Sequence, residues 1–332
     1  MGEAMRRGFT IVELLVSIAI IGILLSLTLV ALSAAHHSAE RVQCQSHLKQ
    51  LALANLAHLS AHKHFPTGGW GGGWVGLPGR GFGVRQPGGW AYNVLPYIEE
   101  EKLHALGLRL NEAEMLAASA RRLQTPVTVF ICPGRRDAKT YPMPRVYAER
   151  MRGSLPVAAV AKSDYGMNCG DQIYSETPLF NGESFYGPAT PAEGDSPGFV
   201  WPSTREFTGV GFLRSTVRPS EIRDGATKVY LLGEKYVASD KYETGDEHGD
   251  DWSLYTGFQD DLYRSTNMNW PPSRDIAVST GGEEGRFGSA HEGGWHAAMC
   301  DGSVHFLTFD INSKVHQRLG NRADGLAAIL PD

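Results

Sequence analysis

The strongest pattern lies at the start of the chain. Residues 9–32 are apolar almost without interruption. As a helix rising 1.5 Å per residue, these two dozen or so positions cover roughly 36 Å, more than the ~30 Å hydrocarbon core of a bilayer. No Pro or Gly interrupts residues 23–65, and Cys44, Leu48, Leu51, Asn55 and Leu59 recur at helical spacing, flanked by Leu53 and Leu56. The apolar run is therefore expected to continue as an amphipathic helix to about His64. Glu40, Arg41, Gln45, Lys49 and several histidines mark its polar face, and the apolar stripe should cover a sheet.

Beyond this helix the pattern shortens. Residues 90–106, broken by Pro96, and residues 111–123 read as helices, the second opened by an Asn111 and Glu114 capping box. Strands are expected at 127–132, a β-branched run stopped by Pro133, at 164–169 and at 228–233. Pro219 starts a short helix at 218–223. Residues 296–300 and 303–309 flank Asp301-Gly302 as a β-hairpin with a two-residue type I′ loop, and Asn312 caps a closing helix that ends at Gly320. The Gly- and Trp-rich residues 68–89, with Trp70, Trp74 and then Trp90, read as a surface loop pinned by aromatics. Residues 175–202 read as a long irregular connection. One large or two small α+β units fit this order.

Composition narrows the chemistry. A chain of 332 residues with a net charge of -5 and a pI near 6.2 has no basic face for nucleic acid. Its four cysteines, Cys44, Cys132, Cys169 and Cys300, form no C-x-x-C pair, allow three pairings, and can equally be buried thiols. His58 and His62 share a helix face with His64 nearby, a metal pair only if another ligand completes it and otherwise an exposed polar face. Asp246, Glu247, Asp250, Asp251, Asp260 and Asp261 read as a solvated acidic loop, with Ca²⁺ as the alternative occupant despite the absence of EF-hand spacing.

Catalytic patterns are incomplete. Gly194-Asp195-Ser196-Pro197-Gly198 has the spelling of a nucleophile elbow and His291 follows in hydrolase order, yet no strand precedes Ser196 and no helix follows it. Ser46-x-x-Lys49 with Ser163-Asp164 lacks the later motifs of penicillin-binding enzymes, and Trp295 stands where a zincin needs its second His. No catalytic residues are assigned, and a serine hydrolase is the weakest reading.

Arg6 and Arg7 precede the apolar run, so the positive-inside bias keeps the N-terminus cytoplasmic and the rest across the membrane. Glu13 is out of place there: at bilayer depth an ionised carboxylate costs up to ~3 kcal/mol. It either reaches back to the headgroups or to Arg6 and Arg7, or meets a dedicated partner. Basic residues, then Gly8-Phe9-Thr10, then Glu13 and the run, resemble the leader of type IV prepilins and type II secretion pseudopilins. That resemblance implies cleavage after Gly8 by a membrane aspartyl prepilin peptidase and N-methylation of Phe9. It also implies a filament in which Glu13 neutralises a terminal amine. The implied partners are other copies of the chain, an inner-membrane assembly platform and ATPase, and the lipid bilayer. The family's frequent mid-helix proline is missing, and Gly22 is the sole helix-weakening residue within the run. An ordinary secretory signal cut near Ala31, Ser33, Ala34 or Ala35 is the alternative, disfavoured because such apolar regions span only ~7 to 15 residues.

The remaining motifs extend the resemblance. Cys44-x-x-x-Leu48-Lys49-Gln50-Leu51, Phe65-Pro66, Val129-Phe130-Ile131-Cys132-Pro133, Ser163-Asp164-Tyr165, Asp224-Gly225 with Gly233-Glu234-Lys235, and Ser289-Ala290-His291 through Asp301-Gly302-Ser303-Val304 occur in this order. Together they resemble a large uncharacterised bacterial family that places a domain of unknown function behind a prepilin-type leader, a relative of the major pseudopilins. His291-Glu292-Gly293-Gly294 departs from that family's usual His-Pro-Gly-Gly. The implied organisation is a leader at 1–8, a transmembrane and filament-core helix at 9–32, its amphipathic continuation at 33–65, and an extracytoplasmic pilin-like α+β domain at 66–332. No cofactor is implied beyond the calcium-stabilised loop of major pseudopilins. A non-filamentous anchored domain holding a glycan or Ca²⁺ on its Trp-rich and acidic loops is the second reading.

Overall fold

A computed structural model describes residues 11–173, 185–277, 285–326, 328 and 330, apart from the side chains of Leu27, Val30, Ser33 and Ala34. The chain forms two compact units, Met1–Val42 and Gln43–Asp332. Arg6, Arg7, Gly8 and Phe9 lie outside the described residues, as does the part of the predicted irregular connection at 175–184.

Helix α1, Ile11–His62, begins in the first unit. Glu13 sits in its first turn, where a carboxylate complements the amide end of the helix dipole. Among the described residues no helix is long and apolar enough to cross a membrane. Side chains are described without interruption over residues 11–26, about 24 Å of helix, and the expected span starts earlier, at Phe9.

In the second unit, the part of α1 beyond Val42 buries Cys44, Leu48, Leu51, Ala52 and Asn55, the stripe read from the helical spacing. The helix ends at His62, two residues before the expected stop. Lys63 turns left-handed (φ 66°) and its N–H closes the last turn on the Leu59 carbonyl at 2.8 Å. Short helices follow at Trp90–Val94 (α2), Glu101–His104 (α3), Glu112–Leu123 (α4), Arg145–Arg150 (α5), Pro191–Asp195 (α6) and Ser313–Gly320 (α7). The Asn111 and Glu114 capping box of α4 and the Asn312 cap of α7 both form.

Strands are β1 (Thr140–Pro142), β2 (Ala159–Ala161), β3 (Tyr165–Gly170), β4 (Tyr230–Glu234), β5 (Tyr263–Ser265), β6 (Ser273–Arg274), β7 (Gly288–Ser289), β8 (Gly294–Met299) and β9 (Val304–Thr308). The central sheet has the order β5-β3-β4-β8-β9, antiparallel except for the parallel β3–β5 pair. The result is an N-terminal helix with an α+β sheet domain, an arrangement consistent with a pilin-like fold.

Four expectations need correction. Residues 127–132 form no strand but a 3₁₀ turn at Thr128–Phe130. Pro126 and Pro133 close off the run, and the Phe130 carbonyl and Cys132 N–H bond to Asp164 instead of a ladder. Residues 218–223 likewise make only a 3₁₀ turn, Pro219–Glu221. The β8–β9 hairpin turns over three residues rather than two. Gly302 N–H bonds the Met299 carbonyl at 2.9 Å, and Gly302 but not Asp301 takes positive φ. Asp301 is held from outside by its N–H on the Ala226 carbonyl, so the turn is a type I with a glycine bulge. Finally, the Gly- and Trp-rich stretch is surface only at residues 78–85; residues 68–77 and 86–89 are buried in the core. Trp70, Trp74 and Trp90 are buried, their indole N–H groups satisfied by the carbonyls of Val84, Pro188 and Leu262 at 2.7 to 2.9 Å. Glycine is needed where the backbone runs against an aromatic ring: a Cβ on Gly76 would lie 2.2 Å from Tyr92.

Candidate functional site

The end of β4 breaks an apolar strand with two adjacent charges, Glu234 and Lys235, and both are buried. Alternation in a strand sends them to opposite faces, and each finds a different environment.

Glu234 faces two imidazoles. The β4–β8 register sets Gly233 opposite Ala297 and so brings Glu234 beside His296. His296 donates its backbone N–H to Glu234 Oε2 at 2.7 Å and holds its Nδ1 3.1 Å from the same oxygen. His291 arrives from the turn before β8, which Gly293 makes with φ 82°, and places Nε2 3.3 Å from Oε1. Burial raises the pKa of Glu234, but the hydrogen bonds and charges of His291 and His296 outweigh it and hold the carboxyl well below the usual range.

Against this group lies the pair Cys44–Cys132, a disulfide with a Cα separation of 5.3 Å. Cys44 comes from α1. Cys132 follows the 3₁₀ turn, with its N–H bound to Asp164 Oδ2 at 2.8 Å. Cys132 Sγ lies 3.5 Å from His291 Nε2 and 3.8 Å from Glu234 Oε1. Cys169 and Cys300 remain buried thiols, so the structure forms Cys44–Cys132 alone, one bridge of one of the three connectivities the sequence leaves open. Burial pushes the Cys169 thiol up to about 12, which makes it inert.

Lys235 enters a buried ion network. Its Nζ meets Asp250 Oδ1 at 2.7 Å and the Gly249 carbonyl at 2.8 Å. Asp250 also pairs with Arg136, which meets Asp164 as well at 2.7 Å, while Arg135 bridges Asp164 and Asp275 at 3.1 and 3.0 Å. Lys162 caps the Asp250 carbonyl at 2.6 Å. Burial pushes the Asp250 carboxyl up, but Arg136, Lys235 and Lys162 more than reverse this.

The solvated acidic loop is therefore corrected. Asp250, Asp251 and Asp261 are buried, and their partners are protein groups. Asp261 accepts from the backbone N–H groups of Asp251 and Trp252 at 3.2 and 2.7 Å. Asp246 is exposed and paired with Lys241 at 3.1 Å, and the Asp260 carbonyl accepts from Arg264. Among the described residues the calcium candidates Asp246, Asp250, Asp251, Asp260 and Asp261 do not gather three carboxylates at one point.

His58 is fully buried, not on an exposed face. Its Nδ1 contacts the His64 carbonyl at 3.1 Å, His62 Nε2 meets the Tyr97 hydroxyl at 2.8 Å, and the His62 ring stacks on Phe82, which stacks in turn on His104. Burial, reinforced by His62 and His64, pushes His58 down to about 3. Ser196 is exposed and follows a helix, α6, rather than a strand, while its neighbour Asp195 is tied to Arg80 and Arg85; no elbow forms. With Trp70, Trp74 and Trp90 buried, the Trp-rich stretch presents no indole face to a glycan. In the sequence Glu234 stands out only as a motif member and His291 as a motif member and an incomplete catalytic candidate, and nothing there marks His296 as their partner. The available signal was an adjacent acid and base at the end of an apolar strand.

Residues 33–314 match the family described as Protein of unknown function (DUF1559), and residues 4–29 match the prokaryotic N-terminal methylation motif. No curated protein and no solved structure matches the chain.

Proposed function

Since the chain belongs to the DUF1559 family and carries an N-terminal methylation motif ahead of it, we propose that it is a pilin- or pseudopilin-like structural subunit rather than an enzyme. It is made as a prepilin, cut between Gly8 and Phe9 and methylated on Phe9. Residues 9–32 hold it in a bacterial inner membrane with the sheet domain on the extracytoplasmic side. Assembly by a platform and ATPase then packs these helices into a type II secretion or type IV pilus-like filament.

The observation that carries this reading is the surface of α1 in the first unit. Ile11, Val12, Leu14, Leu15, Val16 and Ile18 are each more than half exposed, as are Ile20, Ile21, Leu24, Leu25 and Leu32. Consecutive positions such as 14, 15 and 16 fall on different sides of a helix, so the apolar surface runs all round it. Covering one such side chain gains about 1.5 to 3 kcal/mol, and either lipid or neighbouring copies of the helix can supply the cover. Moving from one to the other therefore conserves apolar contact, while Glu13 exchanges a costly site in lipid for a methylated amine on a neighbour.

Mass spectrometry of the mature protein tests the reading. A chain that begins at N-methylated Phe9 supports it, and one that begins near His36 or retains Met1 overturns it.

A further inference from the structure

We propose that the Cys44–Cys132 disulfide is one state of a metal site. Once a dithiol has reduced it, the two sulfurs bind one Zn²⁺ tetrahedrally together with Glu234 Oε1 and His291 Nε2.

The geometry points to this set. The four ligand atoms all lie within 4.8 Å of one another and all four residues are buried. His291 Nε2 is 3.5 Å from Cys132 Sγ and 3.3 Å from Glu234 Oε1, and Cys132 Sγ is 3.8 Å from Glu234 Oε1. Tetrahedral zinc with Zn–S of ~2.3 Å and Zn–N or Zn–O of ~2.0 Å spaces such ligands about 3.3 to 3.8 Å apart. These three non-bonded separations already match a loaded site.

The surroundings fix the ligands as a metal would need. Glu234 commits Oε2 to the backbone and ring of His296, which leaves Oε1 for the ion and sets the carboxylate's orientation. Cys132 is pinned through its N–H to Asp164, and Cys44 stands on α1. Two thiolates, one imidazole and one carboxylate suit Zn²⁺, whereas Ca²⁺ and Mg²⁺ take oxygen ligands. A buried set of four protein ligands closes the coordination sphere, which makes the site structural. Sequence spacing could not reveal it, because each ligand comes from a separate segment.

A dithiol of the R(SH)₂ class gives two electrons and two protons to the protein disulfide. The protein S–S bond breaks into two thiols while the reductant closes its own S–S bond. Zn²⁺ then displaces both thiol protons to solvent, and the proton with which His291 Nε2 faces Glu234 Oε1 also leaves Nε2 as that nitrogen turns its lone pair to the metal. Disulfide and metal exclude each other, since both need the same sulfur electron pairs.

The test uses the full-length protein in detergent, oxidised or reduced with dithiothreitol and then freed of it under nitrogen. The reduced form should take up one Zn²⁺ per chain and the oxidised form none. Co²⁺ should give the intense visible bands of a tetrahedral thiolate site. Zinc should shield Cys44 and Cys132 from alkylation and leave the slow alkylation of the buried Cys169 and Cys300 unchanged. His291→Ala should weaken zinc binding more than a hundredfold, and His296→Gln, which removes a positioning residue, by roughly 10- to 100-fold. Absence of stoichiometric zinc in the reduced protein, an octahedral cobalt spectrum, or shielding of other cysteines overturns the proposal. If His291→Ala fails to fold, the cobalt spectrum and alkylation pattern of the unaltered protein decide. The outcome is independent of filament assembly.

Discussion

Arg136 meets both carboxylate oxygens of Asp250, at 2.5 and 2.9 Å, with neither side chain exposed to solvent. Such a pair gains its attraction only by giving up the hydration of both ions, so its worth appears when one partner is removed. Arg136→Met leaves Asp250 and Asp164 short of a cation. It should lower unfolding free energy by about 3 to 5 kcal/mol, and Arg136→Lys by less, since it keeps the charge but loses the fork. Chemical denaturation checks this; a loss under about 1 kcal/mol for Arg136→Met would show that Lys235 and Lys162 suffice.

Asp251 lies in the same network with the opposite problem. Burial first, then the charges of Asp261 and Asp260, push its pKa up to about 10. An unfolded carboxyl releases its proton near pH 4, so between about pH 4 and 10 the folded chain holds a proton the unfolded chain has lost. Asp251 therefore weakens the fold as pH rises through that window. Asp251→Asn should leave stability at pH 4 nearly unchanged and raise it at pH 8 by on the order of 1 kcal/mol or more. Equal destabilisation at both values would mean that the buried carboxyl is ionised.

The contrast between these features and the helix shows what was legible from residue order. The stripe from Cys44 to Leu59 was readable because a single helix imposes its period locally, and the caps at Asn111 and Asn312 because a cap is a contact between near neighbours. Glu234, His291 and His296 were not, since only the pairing of β4 with β8 brings the carboxylate to the imidazoles. The Gly and Trp stretch misled for a different reason. Glycine marks a flexible turn and a tight backbone crossing alike, and only the Tyr92 ring over Gly76 tells them apart. The acidic residues at 246–261 looked solvated because their cations, Arg135, Arg136, Lys162 and Lys235, come from other parts of the chain.

His316 lies in a box formed by Tyr230, Phe287 and Trp295, with ring centroids 5.6 to 6.1 Å away. Neither ring nitrogen has a hydrogen-bond partner among the described residues, and burial pushes its pKa down to about 3. Between about pH 6.5 and 3 the unfolded chain takes up a proton the folded chain refuses, so His316 costs stability as pH falls. His316→Phe should stabilise the protein at pH 7 by about 1 to 3 kcal/mol and make its acid lability shallower by one proton. A destabilised variant at pH 7 would show that a water satisfies the ring.

Cys44 and Cys132 close a loop with a sequence separation of 88. Cross-linking a loop of that length removes about 4 to 5 kcal/mol of unfolded-state entropy. Cys132→Ala, and reduction of the unaltered protein without metal, should each cost about that much in a denaturant titration. No change on reduction would mean that the reduced protein keeps the two segments together by packing alone.

Glu13→Ala should insert into membranes as well as the unaltered protein does, because it removes a charge from an apolar segment. It should nonetheless yield few or no filaments, if the carboxylate is what receives the amine of a neighbouring copy. Normal filaments from this variant, counted by electron microscopy, would exclude that charge pairing.

Cys44 stands just past Val42, where the first unit gives way to the second. Tension drawn through the N-terminal segment thus reaches a covalent cross-link almost as soon as it enters the sheet domain, at the first residue of the packed stripe. With the link closed, a pull is shared with the turn at Cys132 and the helix cannot be peeled from its sheet one turn at a time. With the link open and no metal bound, the same pull would meet only noncovalent contacts, so the state of one pair of sulfurs would set how much force the domain withstands before it unravels.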